Sequence, residues 1–506
     1  MIINQPGLIV KDLASLKDKR WYNQRFDGCL NLIWMISEAE LLKEARKTRR
    51  GHFTSHLAIF ENHRCDWYIN MADIARVTSY FIKQAEESRT FGKRLIKKWQ
   101  TDESKYFRFL SRLEKISLSR LSGRQLADTY RNLTEVYLKT ITSSSLIDGF
   151  ALGSDEIIQA RISRLLDKRK IVRERGIIFA ALTAPVHQSF INEAELALLN
   201  IAVRLRRAPA SCRPALAKKL LAVHARKYFW IKNNYHDNHI LSARDFAAEL
   251  KALLTGRVDL AKEIRKIKDA PRRNLIEKKA WLARLEPEGR LRNLLELSED
   301  FTHWQDERKK RTFLFTHYAS SVMAEAGRRL GYSLSEMKYL VRPEVISLLD
   351  RADKPAKYLL KERVKKTFVY QKGNRYEAVS GPTAAKFINN IFQDKDYSHI
   401  QDFRGLTAST GIARGRVRIV KSVKEVGKVE KGDILVAVMT RPDYIVGLKK
   451  AAAIVTDEGG ITCHAAIISR ELGIPCIIGT KIGTKALSDG DLVEVNANHG
   501  WVRKIS

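Results

Sequence analysis

Two glycines, a threonine, a cysteine and a histidine stand together in Gly459-Gly460-Ile461-Thr462-Cys463-His464, and those types at that spacing suit phosphoryl chemistry. The apolar run at 451–455 predicts a small buried strand, and Cys476-Ile477-Ile478 predicts another. Between them the sequence predicts a glycine turn and a short helix that opens at His464 and stops at Gly473-Ile474-Pro475. A histidine at a helix N-terminus faces unpaired backbone N–H groups and the positive end of the helix dipole. That setting favours a neutral, nucleophilic imidazole and an anion bound beside it. The competing reading is a histidine that only caps its helix. A simple cap needs neither the glycine pair, nor Thr462, nor the small Ala465-Ala466 pair behind it.

The passage resembles the swivelling phosphohistidine domain of the phosphoenolpyruvate-utilising enzymes, among them phosphoenolpyruvate synthase, pyruvate phosphate dikinase and rifampicin phosphotransferase. The shared pattern is met by Gly459, Gly460, Thr462, Cys463, His464, Ala465, Ala466 and Ile467, then by Arg470, Glu471, Gly473, Ile474 and Pro475. Gly411-Ile412-Ala413-Arg414-Gly415-Arg416-Val417 is similar to the family's opening hairpin, and Thr440-Arg441-Pro442-Asp443 to a turn after its next strand. Asp489 to Val495 and Gly500-Trp501-Val502 are similar to its closing hairpin. The resemblance covers about the last hundred residues. It implies that His464 attacks phosphorus, while Gly459, Gly460, Thr462 and Cys463 hold the phosphate oxygens. Arg470 lies nearly two helical turns on, equally placed to brace the loop or to meet a partner domain.

The elements around this loop divide by glycine use. Thirteen of the 27 glycines fall after residue 400, so the early chain is expected to be helical and the late chain β-rich. Helical stripes agree: Leu121, Leu126, Tyr130, Leu133 and Tyr137, with Ser122 as a cap, and Leu198, Leu199, Ala202 and Leu205. Residues 260–312 read as an exposed helix or helical hairpin broken near Pro271 and Pro287, and Lys372-Gly373-Asn374 as a hairpin turn. The expected organisation is therefore multidomain: a basic, mostly α-helical region over 1–362, a β-hairpin, short helix and linker over 363–400, and a C-terminal α/β swivelling domain over 401–506.

Composition narrows function further. The net charge is +34, yet residues 401–506 carry 16 basic and 11 acidic side chains, so +29 of it lies earlier. Those charges are dispersed, as in Arg204, Arg206 and Arg207, and no nucleic-acid-binding signature accompanies them. A nucleic-acid partner is possible and not favoured over a solvated surface. Five cysteines at 29, 65, 212, 463 and 476 show no CxxC pairing, which argues against a disulfide framework or zinc and for a cytoplasmic setting. No apolar run approaches membrane-spanning length and no secretory leader is recognisable.

Residues 224–250 gather His224, Tyr228, Trp230, Tyr235, His236 and His239, which either line a substrate cavity or pack a helix pair with the histidines at a turn, the second being preferred. This segment, Asp306-Glu307-Arg308 and Tyr339-Leu340 are similar, more loosely, to the helical region preceding the phosphohistidine domain in the same family. Neither an ATP-grasp glycine loop with acidic metal ligands nor a phosphoenolpyruvate-binding barrel is legible in the first 400 residues. The expected function is a phosphotransferase-related carrier, incomplete without a donor. It carries a phosphoryl group on His464 from a donor, either a separate ATP-grasp protein using ATP or phosphoenolpyruvate, to an unidentified acceptor. No metal or tightly bound cofactor is expected, Mg²⁺ belonging with the donor domain. The alternative is a non-catalytic regulatory or polyanion-binding protein that keeps the fold.

Overall fold

The computed structural model describes residues 2–3, 7–39, 49–171, 175–256, 258–351, 353–373, 375–392, 397, 399–440, 444–460 and 463–505. Among the described residues two sheets stand with a mass of helices.

The early region is mainly helical but holds strands the sequence reading did not foresee. Ser55–Glu61 turns through Asn62 and His63, both at positive φ (49° and 70°), into Arg64–Asn70, with Glu61 opposite Arg64. That is a two-residue hairpin loop of the primed kind. These strands and Trp21–Asp27 join Thr367–Lys372 and Arg375–Ser380 in one sheet, edged by Ile2–Ile3. The late hairpin, expected within a unit over 363–400, thus lies inside this sheet, because Thr367–Lys372 finds its second partner in Ser55–Glu61. Its turn residue Asn374, and residues 394–396 and 398 of the expected linker, lie outside the described residues. Burial on both faces explains the continuous apolar strand: Leu57 and Ile59 face one core, Ala58 and Phe60 the other.

The helix Gly123–Ser144 opens on a capping box of Ser122 and Gln125 and buries Leu126, Tyr130, Leu133 and Tyr137. It packs on the 42-residue helix Gly289–Leu330, about 63 Å long at 1.5 Å per residue. Leu260–Leu285 runs through Pro271 rather than breaking there; the chain turns at Glu286 (φ 42°), before Pro287. Packing on both sides of the proline overrides its propensity: Ile264 and Ile267 sit against one core, and Leu285 is buried in another.

The C-terminal sheet has a parallel centre, in spatial order Ile412–Ile419, Ile434–Ala437, Ala453–Thr456 and Cys476–Ile478. Antiparallel strands complete it, with Leu492–Asn496 and Trp501–Lys504 forming a hairpin. The Gly411–Val417 stretch is not half of a local hairpin: its strand pairs with Leu492–Asn496, and the preceding Leu406–Ser409 pairs with Cys476–Ile478. The helix His464–Leu472 is the crossover between two adjacent parallel strands. No described helix is long and apolar enough to cross a membrane.

Candidate functional site

His464 is the first residue of its helix and follows the carboxyl end of strand Ala453–Thr456 by a short loop. Crevices at the carboxyl ends of parallel strands are where open α/β sheets bind ligands. A cysteine stands at the N-cap and makes no side-chain cap hydrogen bond, and the first turn of a helix suits an anion. Gly459 has φ +117°, a conformation that disfavours any side chain, and a Cβ there would fall 2.8 Å from Cys463 Sγ. Of the expected phosphate holders, Thr462 lies outside the described residues, as do Arg441, Pro442 and Asp443 of the quoted turn.

The imidazole is half-buried and, among the described residues, is hydrogen-bonded at Nδ1. Its Nδ1 lies 3.0 Å from the hydroxyl of Thr440, itself buried just beyond strand Ile434–Ala437. When Nδ1–H donates to that oxygen, Nε2 keeps its lone pair. Burial, and then the charge of Lys309, bring the imidazole pKa down to about 4, so the ring is neutral at pH 7. Lys309 comes from the long helix Gly289–Leu330, one turn beyond Asp306. Desolvation lowers its pKa against the opposing pull of Asp306, and burial raises the Asp306 carboxyl to about 6.

Cys463 is a thiol rather than a thiolate: burial pushes it up to about 11, although the N–H groups of Ala466 and Ala465 act the other way. Arg470 donates from Nε to the carbonyl of Ala408 at 2.9 Å and also feels Asp155 in the helical region. Before the glycines, Asp457 accepts from the Thr480 hydroxyl at 2.9 Å and from Thr484 N, tying the loop to the next turn. Glu458 reaches across to the other domain. It accepts from Lys481 Nζ at 2.8 Å and from the backbone N of Asn23 at 3.4 Å, while burial raises its carboxyl to about 7. Lys481 also lies 5.1 Å from the ring of Tyr22.

Thr440, Glu458 and Lys309 were not read as site residues. Thr440 stood in the quoted turn, Glu458 directly before the glycine pair, and Lys309 directly after Asp306-Glu307-Arg308. The structure pairs Arg308 with Asp148 through two hydrogen bonds of 2.7 and 2.8 Å. In the aromatic segment after His224, His224 packs edge-on with Phe246 and Trp230 is buried. Tyr235 and His236 border a small cavity with Cys29, Phe315, Met323 and Lys338, removed in the chain from the His464 loop. Among the described residues no group of three or more His, Cys, Asp or Glu side chains is placed to hold a metal.

Residues 429–500 match the family described as PEP-utilising enzyme, mobile domain. A probable phosphoenolpyruvate synthase of Archaeoglobus fulgidus is 60% identical over 99 residues, which are 20% of this chain and 13% of that protein. The phosphoenolpyruvate synthase of Pyrococcus furiosus is 56% identical over 101 residues, 20% of this chain and 12% of its own length. YvkC of Bacillus subtilis, described as an uncharacterized phosphotransferase, is 39% identical over 123 residues, 24% of this chain and 15% of its own length. The C-terminal region is thus similar to the mobile domain of the phosphoenolpyruvate-utilising enzymes, and the matches span about an eighth of these relatives' own length.

Proposed function

We propose that His464 carries a phosphoryl group, which it takes from a donor outside residues 1–506 and hands to an acceptor held by the helical region. The observation that carries this reading is the one-sided restraint of the imidazole: Nδ1 engaged by Thr440, Nε2 without a hydrogen-bond partner among the described residues, and a helix N-terminus beneath it. In loading, the Nε2 lone pair attacks phosphorus and the bond from phosphorus to the donor's leaving oxygen breaks. Backbone N–H groups of the first turn, and Gly459 and Gly460 by their lack of side chains, admit the phosphate oxygens closely. Lys309, whose charge is felt by the imidazole, supplies a nearby cation, and Arg470 braces the helix on the neighbouring strand. Donor candidates are ATP, through a separate ATP-grasp protein that brings its own Mg²⁺, and phosphoenolpyruvate.

The test is incubation with radiolabelled ATP or phosphoenolpyruvate, with and without cell extract. Acid-labile, base-stable label that disappears in His464→Ala supports the proposal. Absence of label under every condition would sink it.

A further inference from the structure

Part of the excess positive charge of the early region gathers at one end of a helical bundle. Residues 189–285 hold 21 basic and 9 acidic side chains. Their helices Phe190–Arg207, Arg213–Tyr228, Ala243–Thr255 and Leu260–Leu285 share a core that includes Leu205, Leu221, Leu250 and Leu260. Arg206 donates to the carbonyl of Leu253 at 3.0 Å, and Arg213 to that of Ala208 at the same distance. The first and third helices therefore end side by side, and the second and fourth begin next to them after short connections. Arg206 and Arg213 are accounted for within the chain, because they satisfy carbonyls at helix ends. Five more cations stand at this end: Arg204, Arg207, Lys251, Lys262 and Arg265 are all exposed, and none forms an ion pair among the described residues. Of the carboxylates close in sequence, Asp259 is engaged in capping the backbone N of Lys262 at 3.0 Å, and Glu263 is half-buried and felt by Glu195. Lys262 stands in the opening turn of its helix, where the dipole repels a cation. An external anion relieves that repulsion, and bare solvent does so only in part.

We infer that this end of the bundle binds the phosphate backbone of a nucleic-acid duplex, separately from the chemistry of His464. Five unpaired cations supplied by three helices match a dense, repeating array of anions, and a duplex presents one charge per ~1.7 Å of its axis. A single strand is the poorer fit. Among the described residues no aromatic side chain is exposed on these four helices, so unstacked bases find no platform. A membrane surface is the poorer fit too. The large apolar side chains exposed beside the cluster are Leu254 and Val258, only 36% and 38% exposed, which is too little to seat the bundle in a bilayer. Contact is made through phosphate alone and so carries no sequence preference.

The experiment is fluorescence anisotropy of the full chain with a short labelled DNA duplex, titrated between about 50 and 200 mM salt. Five neutralised phosphates give a slope of log K against log salt near −4.5, about 500-fold in affinity over that range. Arg207→Gln combined with Lys262→Gln is expected to reduce the slope by about 2 and to weaken binding on the order of 50-fold at about 100 mM salt. Lys115→Gln combined with Arg124→Gln removes the same charge from exposed sites outside the bundle, and is expected to change affinity by less than about twofold. Thermal melts of both variants check that each stays folded. A salt slope near zero overturns the inference, and so does an equal loss in the two double variants. Tighter binding to the matching single strand, or to phosphatidylglycerol vesicles, overturns it as well. His464→Ala is expected to bind the duplex as the wild type does, so a failure of the proposed phosphoryl transfer leaves this test standing.

Discussion

In the proposed relay Thr440 decides which imidazole nitrogen of His464 takes the phosphoryl group, because its hydroxyl lies 3.0 Å from Nδ1. Thr440→Val removes that contact without changing volume much. It is expected to slow labelling of His464 by about 5- to 10-fold, the worth of one hydrogen bond near 1 kcal/mol, with Thr440→Ser near wild type. The pH dependence of labelling follows from the lowered imidazole pKa. A free histidine loses its nucleophile below about 6.5, whereas His464, near 4, keeps it two units further down. The rate of labelling by phosphoramidate is expected to stay level from pH 7 to about 5 after correction for the donor's own ionisation, and Lys309→Met to move the acid limb upward. A limb at pH 6.5 in the wild type would show that neither burial nor Lys309 acts on the ring. The residue types of this loop were legible from its glycines and histidine alone. Thr440 was not, since its role depends on two strands lying side by side in the sheet.

The loop and its helix are set by two glycines with different burdens. Gly459 combines φ +117° with a close neighbour in Cys463, so Gly459→Ala is expected to destabilise the C-terminal domain by on the order of 1–3 kcal/mol. Gly473 ends the helix at φ +68° with open space around it, and Gly473→Ala costs about 1 kcal/mol, from backbone alone. Urea denaturation of the two variants checks the order; equal losses would contradict the steric part of the argument. The strand, glycine turn, helix and strand of this unit were readable because each boundary is marked locally by glycine or proline. The hairpin over 55–70 was hidden because Asn62-His63 replaces the usual Asn-Gly, and because its strands alternate between two cores and so lose a polar face. Pro271 misled for the opposite reason: a strong local signal was outweighed by packing on either side.

At the scale of the molecule, the domain contact is built from charged groups brought out of water. Glu458 is protonated more readily when folded, with burial raising it to about 7 from an ordinary 4.5. The folded state then holds more protons between about pH 4.5 and 7, so this group's contribution to stability falls as pH rises through that window and is lowest above 7. Glu458→Gln is expected to flatten that part of the stability-versus-pH curve in thermal melts, and an unchanged slope would contradict it. His464 has the opposite sign, adding stability as pH rises from about 4 to 6.5. None of this was visible along the chain, where Asn23 and Glu458 are remote. The basic charge of the early region, by contrast, was legible as composition. The central claim concerns one nitrogen, so the most direct measurement locates the phosphoryl group itself. The chain is phosphorylated with phosphoramidate or a cellular donor, digested at alkaline pH and read by mass spectrometry and phosphorus NMR. The account predicts phosphorus on Nε2 of His464 and on no other of the 12 histidines; label on another histidine, on Nδ1, or nowhere would contradict it.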